Sequence, residues 1–122
     1  MSTQTQVALI TGLAADLAIE IARILSERGF HLIVTETSES MMSLARDKLN
    51  GSVAPSDAFI LDVCASADWD CAMDRACRKF GVPSLVFNLQ SWSQNTEAAH
   101  EDAEICILGN YYGLHAAIPR MI

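Results

Sequence analysis

The stretch "ITGLAADLAIEIAR" at residues 10–23 joins the end of a buried strand to the start of a helix. The preceding run "VALI" at 7–10 is continuous and apolar, which is typical of a strand covered on both faces. Gly12 stands between the two elements, where a tight turn needs a permissive backbone. Apolar residues then return at helical spacing, at Leu17, Ile21, Ile24 and Leu25. We therefore predict a strand–turn–helix unit.

The rest of the chain repeats this alternation. Apolar runs predict strands at 31–35, 58–61 and 84–87, and amphipathic segments predict helices at 38–49, about 69–80 and from about 100 onward. Short connections between alternating strands and helices predict a parallel sheet with helices on both faces and right-handed crossovers. The predicted fold class is α/β, as one Rossmann-like domain over residues 1–122 that forms half of a doubly wound sheet.

Composition excludes several classes of partner. The 122 residues carry a net charge of −7 with eight Lys plus Arg, so nucleic acids and anionic membrane surfaces would be repelled. No apolar run reaches the roughly 18 residues that span a bilayer. We expect no nucleic-acid or membrane partner and a cytoplasmic location.

Cysteine and histidine spacing does not favour a metal site. The four cysteines lack the close pairs of zinc or redox motifs, and we expect reduced, mostly buried thiols: Cys64, Cys71, Cys77 and Cys106. The segment "HEDAE" at 100–104 lacks the second histidine of a zinc-protease helix. We expect no bound metal.

Four polar or flexible residues follow the four predicted strands, where ligands of doubly wound sheets bind. They are Gly12, Glu36, Asp62 and Asn88. Each has a simpler alternative role. Gly12 suits a tight turn, Glu36 a solvated loop, Asp62 a turn cap and Asn88 hydrogen bonds between neighbouring loops.

At these positions the sequence resembles the short-chain dehydrogenase/reductase family, from about Gln6 to Gly113. The family's T-G-x-x-x-G-x-G loop matches residues 11–18, in which Thr11 and Gly12 are kept and Asp16 and Ala18 replace the later glycines. The resemblance implies the N-terminal half of the family's fold, with strand order 3-2-1-4.

The resemblance also implies a set of cofactor-binding positions. Glu36 matches the acid that holds the adenosine ribose in NAD-preferring members, Asp62 and Val63 match the pair beside the adenine, and Asn88 matches the first Asn of N-N-A-G. With Thr11, Gly12 and Asp16 they form the candidate cofactor-binding residues. We expect this site to be vestigial or weak, with no cofactor bound, or NAD if any.

Asp16 is the reason for that expectation. A carboxylate about 4 Å from a phosphate charge costs roughly 1 kcal/mol in water and about 4 kcal/mol at an effective dielectric of 20. The alternative role for Asp16 is to stabilise the helix N-terminus. We hypothesise that Asp16 replaces the negative charge of the cofactor and keeps the loop folded while empty.

The family's catalytic Ser and Tyr-x-x-x-Lys do not occur in these residues. Tyr111 is followed four positions later by His115, and we expect both to be packing residues. Asn110 is the one candidate catalytic residue, as the family's fourth-helix asparagine, with Gly113 completing N-x-x-G. A second register puts Cys106 and Gly109 at those positions.

The last predicted helix suggests a partner. Family subunits pair through such helices, and we expect a homo- or hetero-oligomer with a subunit of this family through Ile105, Leu108, Tyr112 and Ile118. Two functions stay open. One is a non-catalytic subunit that scaffolds or regulates an active partner, similar in role to the heteromeric 2-(hydroxybenzyl)succinyl-CoA dehydrogenase type. The other is the N-terminal cofactor-binding half of an NAD-dependent dehydrogenase acting on an alcohol or ketone.

Overall fold

The computed structural model describes residues 5–89 and 96–122, with side chains in the last helix from residue 107 onward. The predicted alternation of strands and helices is confirmed. The elements are β1 (Val7–Thr11), α1 (Asp16–Glu27), β2 (His31–Glu36), α2 (Glu39–Leu49), β3 (Asp57–Ile60), α3 (Ser66–Lys79), β4 (Leu85–Asn88) and α4 (Thr96–Met121).

The four strands form one parallel sheet in the order β3-β2-β1-β4, as predicted. In this sheet, Ile10 of β1 lies beside Val34 of β2 on one side and beside Phe87 of β4 on the other. The carboxyl ends of all four strands therefore meet at one edge of the sheet, which we call the carboxyl edge.

A buried apolar cluster lies on each face of the sheet. On one face, Ala8 and Ile10 of β1 join side chains of α1 and α2. On the other, Val7 and Leu9 join α3 and α4 around the fully buried Trp69. Alternate residues of one strand thus serve both clusters, which explains why β1 reads as an unbroken apolar run.

Helix α4 packs against α3 through a close approach at Gly113. A Cβ atom on Gly113 would lie 3.0 Å from the Trp69 ring, so a larger residue would push the helices apart. The indole Nε1 of Trp69 donates a hydrogen bond to the Val63 carbonyl at 2.9 Å. Arg120 further joins α4 to α3, because its guanidinium lies 3.0 Å from Asp74 and 3.3 Å from Asp70.

The predicted burial of the cysteines is wrong where the structure describes their side chains. Cys71 is exposed, and Cys64 and Cys77 are half-buried. Helix α3 turns Trp69, Ala72, Met73 and Ala76 inward, which leaves positions 71 and 77 at the side of its buried face. The side chain of Cys106 lies outside the described residues.

None of the helices in residues 5–89 and 96–122 combines the length and the hydrophobicity that a membrane span needs. The same residues contain no group of three or more His, Cys, Asp or Glu side chains arranged to hold a metal ion.

Candidate functional site

In the loop between β1 and α1, residues 12–15, the amides of residues 13–15 are hydrogen-bonded partly within the loop and partly to β2. Gly12 has a φ of 67°, a left-handed conformation that glycine adopts without strain. The amide of Leu13 donates to the Thr35 carbonyl at 3.2 Å, and the amide of Ala15 donates to the Gly12 carbonyl at 3.0 Å. The turn therefore joins β1 to α1 and is also tied to the end of β2.

Glu36 binds the third amide of this loop. Its Oε2 accepts a hydrogen bond from the Ala14 amide at 2.8 Å, and its Oε1 accepts one from the Thr37 amide at 2.9 Å. Only 4% of the residue is exposed, so the alternative of a solvated loop acid is wrong. Both carboxylate oxygens already bind backbone amides, and ribose hydroxyls would compete with them.

Asp16 stands in the first turn of α1, as predicted, but it does not cap the helix. The helix begins after Ala15 without a hydrogen bond from any capping side chain. The Asp16 side chain is 95% exposed, and its Oδ1 lies 2.9 Å from the ammonium nitrogen of Lys48. The acid that binds a loop amide is therefore Glu36, and the hypothesis that Asp16 replaces the negative charge of the cofactor stays a prediction.

Lys48, near the end of α2, is a residue that sequence reasoning missed. Its Nζ donates to the Ala14 carbonyl at 2.6 Å as well as to Asp16. The backbone of Ala14 is thus bound at its amide by Glu36 and at its carbonyl by Lys48. No sequence signal marks this contact, because Lys48 lies 32 residues from Asp16.

A chain of hydrogen bonds crosses the carboxyl edge from β1 to α4. The buried Thr11 hydroxyl donates to Asn88 Oδ1 at 2.6 Å, and Asn88 Nδ2 donates to Asn110 Oδ1 at 2.9 Å. Asn88 therefore forms hydrogen bonds between neighbouring elements, which is the simpler role considered for it from the sequence. The same chain places Asn110 beside the end of β4, while Gly109 stands where a Cβ atom would meet Asn88 and Val63.

Asp62 forms the turn after β3. Its Oδ1 accepts a hydrogen bond from the Cys64 amide at 2.9 Å, and its own amide donates to Asp68 Oδ2 at 3.0 Å. These contacts confirm the turn-cap alternative for Asp62. Val63 is buried, and its carbonyl accepts the Trp69 hydrogen bond. The predicted role of both residues beside an adenine stays a prediction.

A cavity of about 310 Å³ lies beside β4 and under α4. Its walls are mainly apolar and include Trp69, Val86 and Leu114, while Asn88 and Asn110 supply amide groups. The cavity is thus a cleft at the β4 edge of the sheet, next to the carboxyl edge.

The apolar residues of α4 partly differ from those predicted to form an interface. Tyr112 packs against the buried cluster around Trp69, whereas Leu108 and Ile118 are exposed; the side chain of Ile105 lies outside the described residues. Five exposed apolar residues follow a four–three spacing, and we call them the outer face of α4: Ile107, Tyr111, Leu114, Ile118 and Met121.

Tyr111 and His115, expected to be packing residues, pack on each other and not in the core. Tyr111 is 56% exposed, and its ring centroid lies 4.5 Å from that of His115 on the outer side of the helix. The two side chains pack on each other at the surface.

The residues at the carboxyl edge fit a dinucleotide only in part. The positive-φ turn at Gly12 and an α1 N-terminus without a side-chain cap suit the approach of a phosphate. The buried, twice-bonded Glu36 and the acid at position 16 do not suit the ribose and the diphosphate. NAD, if bound, would lie against Gly12, Glu36, Asp62 and Asn88.

No protein-family model matches the chain. A curated relative, trans-4-hydroxycyclohexanecarboxylate dehydrogenase of Sinomonas cyclohexanicum, is 28% identical over 95% of this chain and 50% of its own length. The chain therefore spans about half the length of that relative.

Solved structures show the same fold. A short-chain dehydrogenase/reductase from Burkholderia phymatum in complex with NAD superposes with a TM-score of 0.78 at 19% identity, covering 99% of this chain and 46% of its own. NAD⁺-bound xylitol dehydrogenase gives a TM-score of 0.75 at 19% identity, covering 99% and 50%. The chain is thus similar in sequence to one dehydrogenase, and it shares the fold of short-chain dehydrogenases/reductases over about half of their length.

Proposed function

We propose that the chain is a non-catalytic short-chain dehydrogenase-type subunit with weakened dinucleotide binding, which scaffolds or regulates an active partner of the same family. The observation that carries this proposal is the internally bonded loop at residues 12–15. Its three amides from Leu13 to Ala15 all have acceptors within the chain, and one of them is the buried Glu36. A loop built in this way needs no cofactor to stay folded.

The proposal also rests on what these residues do not contain. A Tyr-x-x-x-Lys pair is absent, and His115 stands where a lysine would follow Tyr111. The tyrosine of such a pair exchanges a proton as hydride moves, and the lysine lowers its pKa. Hydride transfer would therefore need groups from outside the 122 residues.

A titration of the purified chain with NAD⁺ and NADH tests the weakened binding. We expect dissociation constants well above the micromolar range, from calorimetry or from amide chemical shifts of residues 12–18. Micromolar affinity for either form would contradict the proposal. The NAD-binding dehydrogenase from Burkholderia phymatum, titrated in the same buffer, serves as the positive control.

For the partner, we propose an α-helix of a second subunit of this family, a copy of this chain or a paralogue, packed on the outer face of α4. Apolar residues at alternating spacings of four and three form the seam through which two helices pack in a bundle. Exposed contiguous apolar surface of this kind marks an interaction site.

A second candidate function is the N-terminal cofactor-binding half of a complete NAD-dependent dehydrogenase. It is favoured by the coverage, since the chain spans about half of its relatives, and by the cleft beside β4, where further structure would pack. Intact-mass analysis of the native protein separates the two. A product of about twice the 13.3 kDa of this chain supports the second candidate, and a product of 13.3 kDa supports the first.

A further inference from the structure

The ion pair between Lys48 and Asp16 changes the electrostatics of the loop. The ammonium nitrogen lies 2.9 Å from the Asp16 carboxylate, at the N-terminus of α1. That is where a phosphate group would meet the first-turn amides of the helix. A phosphate approaching this point would face a carboxylate and an ammonium group together.

Lys48 is held in this position by contacts that do not involve Asp16. Its Nζ donates to the Ala14 carbonyl at 2.6 Å, and its own carbonyl accepts a hydrogen bond from Arg23 of α1 at 3.1 Å. Arg23 in turn donates to Ser52 at 3.2 Å, beyond the end of α2. The ammonium group therefore stays near the loop when the charge at position 16 is changed.

We propose that Lys48 is a determinant of dinucleotide affinity in this chain. Its ammonium group neutralises Asp16, so that the pair presents no net charge to the diphosphate. The inference rests on the proposed function, because it explains why binding is weakened rather than abolished. Lys48 is a positioning residue in this role, acting through Asp16 and not through a contact with substrate.

A set of four proteins tests the inference: the wild type, Lys48→Met, Asp16→Asn and the double variant. Affinity for NAD⁺ is measured at low salt by amide chemical shifts. If the net charge of the pair governs binding, Lys48→Met weakens binding about fivefold or more. That is the effect on affinity expected from one unscreened charge about 4 Å from a phosphate in water. Asp16→Asn strengthens binding, and the double variant returns to within about twofold of the wild type.

Salt and a neutral ligand distinguish charge from structure. If Lys48 mattered only by holding the Ala14 carbonyl, Lys48→Met would weaken the binding of NAD⁺ and of adenosine alike, at low and at high salt. If the charge of the pair governs binding, binding of neutral adenosine should be the same in all four proteins, and the differences for NAD⁺ should shrink at high salt because surface charges are screened. Lys48→Arg should bind NAD⁺ as the wild type does.

Three results overturn the inference: no weakening by Lys48→Met, no rescue in the double variant, or a wild type without measurable affinity at millimolar NAD⁺. Micromolar binding by the wild type would instead contradict the proposed weakened site. In that case the order of the four affinities still decides whether Lys48 acts on Asp16. The two failures are therefore distinguishable.

Discussion

The loop after β1 and the outer face of α4 differ in the contacts that this chain provides for them. In the loop, charged side chains bind both the amide and the carbonyl of Ala14, and Lys48 also pairs with the exposed Asp16. On α4, Ile107 and Tyr111 are 69% and 56% exposed, and Tyr111 contacts the rings of Tyr112 and His115. The loop is hydrogen-bonded within this chain, whereas the outer face of α4 exposes apolar side chains.

This difference supports the proposal that a partner packs on the outer face of α4. Leu114, Ile118 and Met121 belong to the outer face and also line the cavity beside β4, so the apolar surface continues from the helix to the sheet edge. Burying such surface is the main favourable term in most protein association. We therefore expect assembly to depend on α4 more strongly than folding depends on a cofactor.

The largest expected effect comes from placing charges on the outer face of α4. Ile107→Asp combined with Leu114→Asp should weaken subunit association at least about a hundredfold, because two apolar anchors become buried carboxylates. Analytical ultracentrifugation of the wild type and the variant measures the change, and both proteins should have the same thermal unfolding midpoint at concentrations where each is monomeric.

Ile24→Asp with Leu44→Asp provides the matched control, since these residues are also about half exposed but lie on α1 and α2. The control should associate as the wild type does. A wild type that is monomeric at high concentration, and also fails to pair with a co-expressed dehydrogenase relative, would contradict the proposed role of α4.

The next effect concerns the loop. Glu36→Gln should lower the free energy of unfolding by about 1–3 kcal/mol, because one backbone amide loses its buried carboxylate acceptor and faces an NH₂ group. Urea denaturation measures the loss. Glu27→Gln is the control, since Glu27 is an exposed residue at the end of α1, and its replacement should change stability by less than about 0.5 kcal/mol. Equal effects of the two substitutions would show that the Ala14 contact is not stabilising.

The order of elements was predictable because each has a clear hydrophobic period. Strand β1 is buried on both faces and α1 on one, so a continuous run and a helical spacing identified them from sequence. The carboxyl-edge positions followed from topology, which brings the ends of parallel strands together.

Side-chain partners were not predictable in the same way. The pairing of Lys48 with Asp16 depends on how α2 packs beside α1, which no local pattern specifies. Tyr111 and Tyr112 show the same limit on α4. Both are large aromatic residues at adjacent positions, yet one faces outward and the other packs on the core cluster around Trp69. Glu36 looked like a loop acid because its backbone contacts involve residue 14, which lies 22 positions away.

The smallest expected effect concerns the start of β3, at the opposite end of the strands from the loop. There, as in the loop, charged side chains are paired within the chain. Arg75 holds Asp57 through two hydrogen bonds of 2.6 and 2.8 Å and stacks on Phe59, with its guanidinium carbon 4.4 Å from the ring centroid. Burial alone would raise the pKa of Asp57, but the hydrogen bonds and charge of Arg75, helped by Lys79, hold that pKa below its usual range.

A lowered pKa in the folded state means that the ionised carboxylate stabilises the fold at neutral pH. Asp57→Asn should therefore cost about 1 kcal/mol at neutral pH. The stabilisation is complete above the unfolded pKa of about 4 and is lost as pH falls through the lower, folded pKa, so the two proteins should converge only in acid. Urea denaturation at a series of pH values measures this, with the exposed Asp47→Asn as control. A stability difference between wild type and Asp57→Asn that persists unchanged into strong acid would show that packing at position 57, and not its charge, provides the stabilisation.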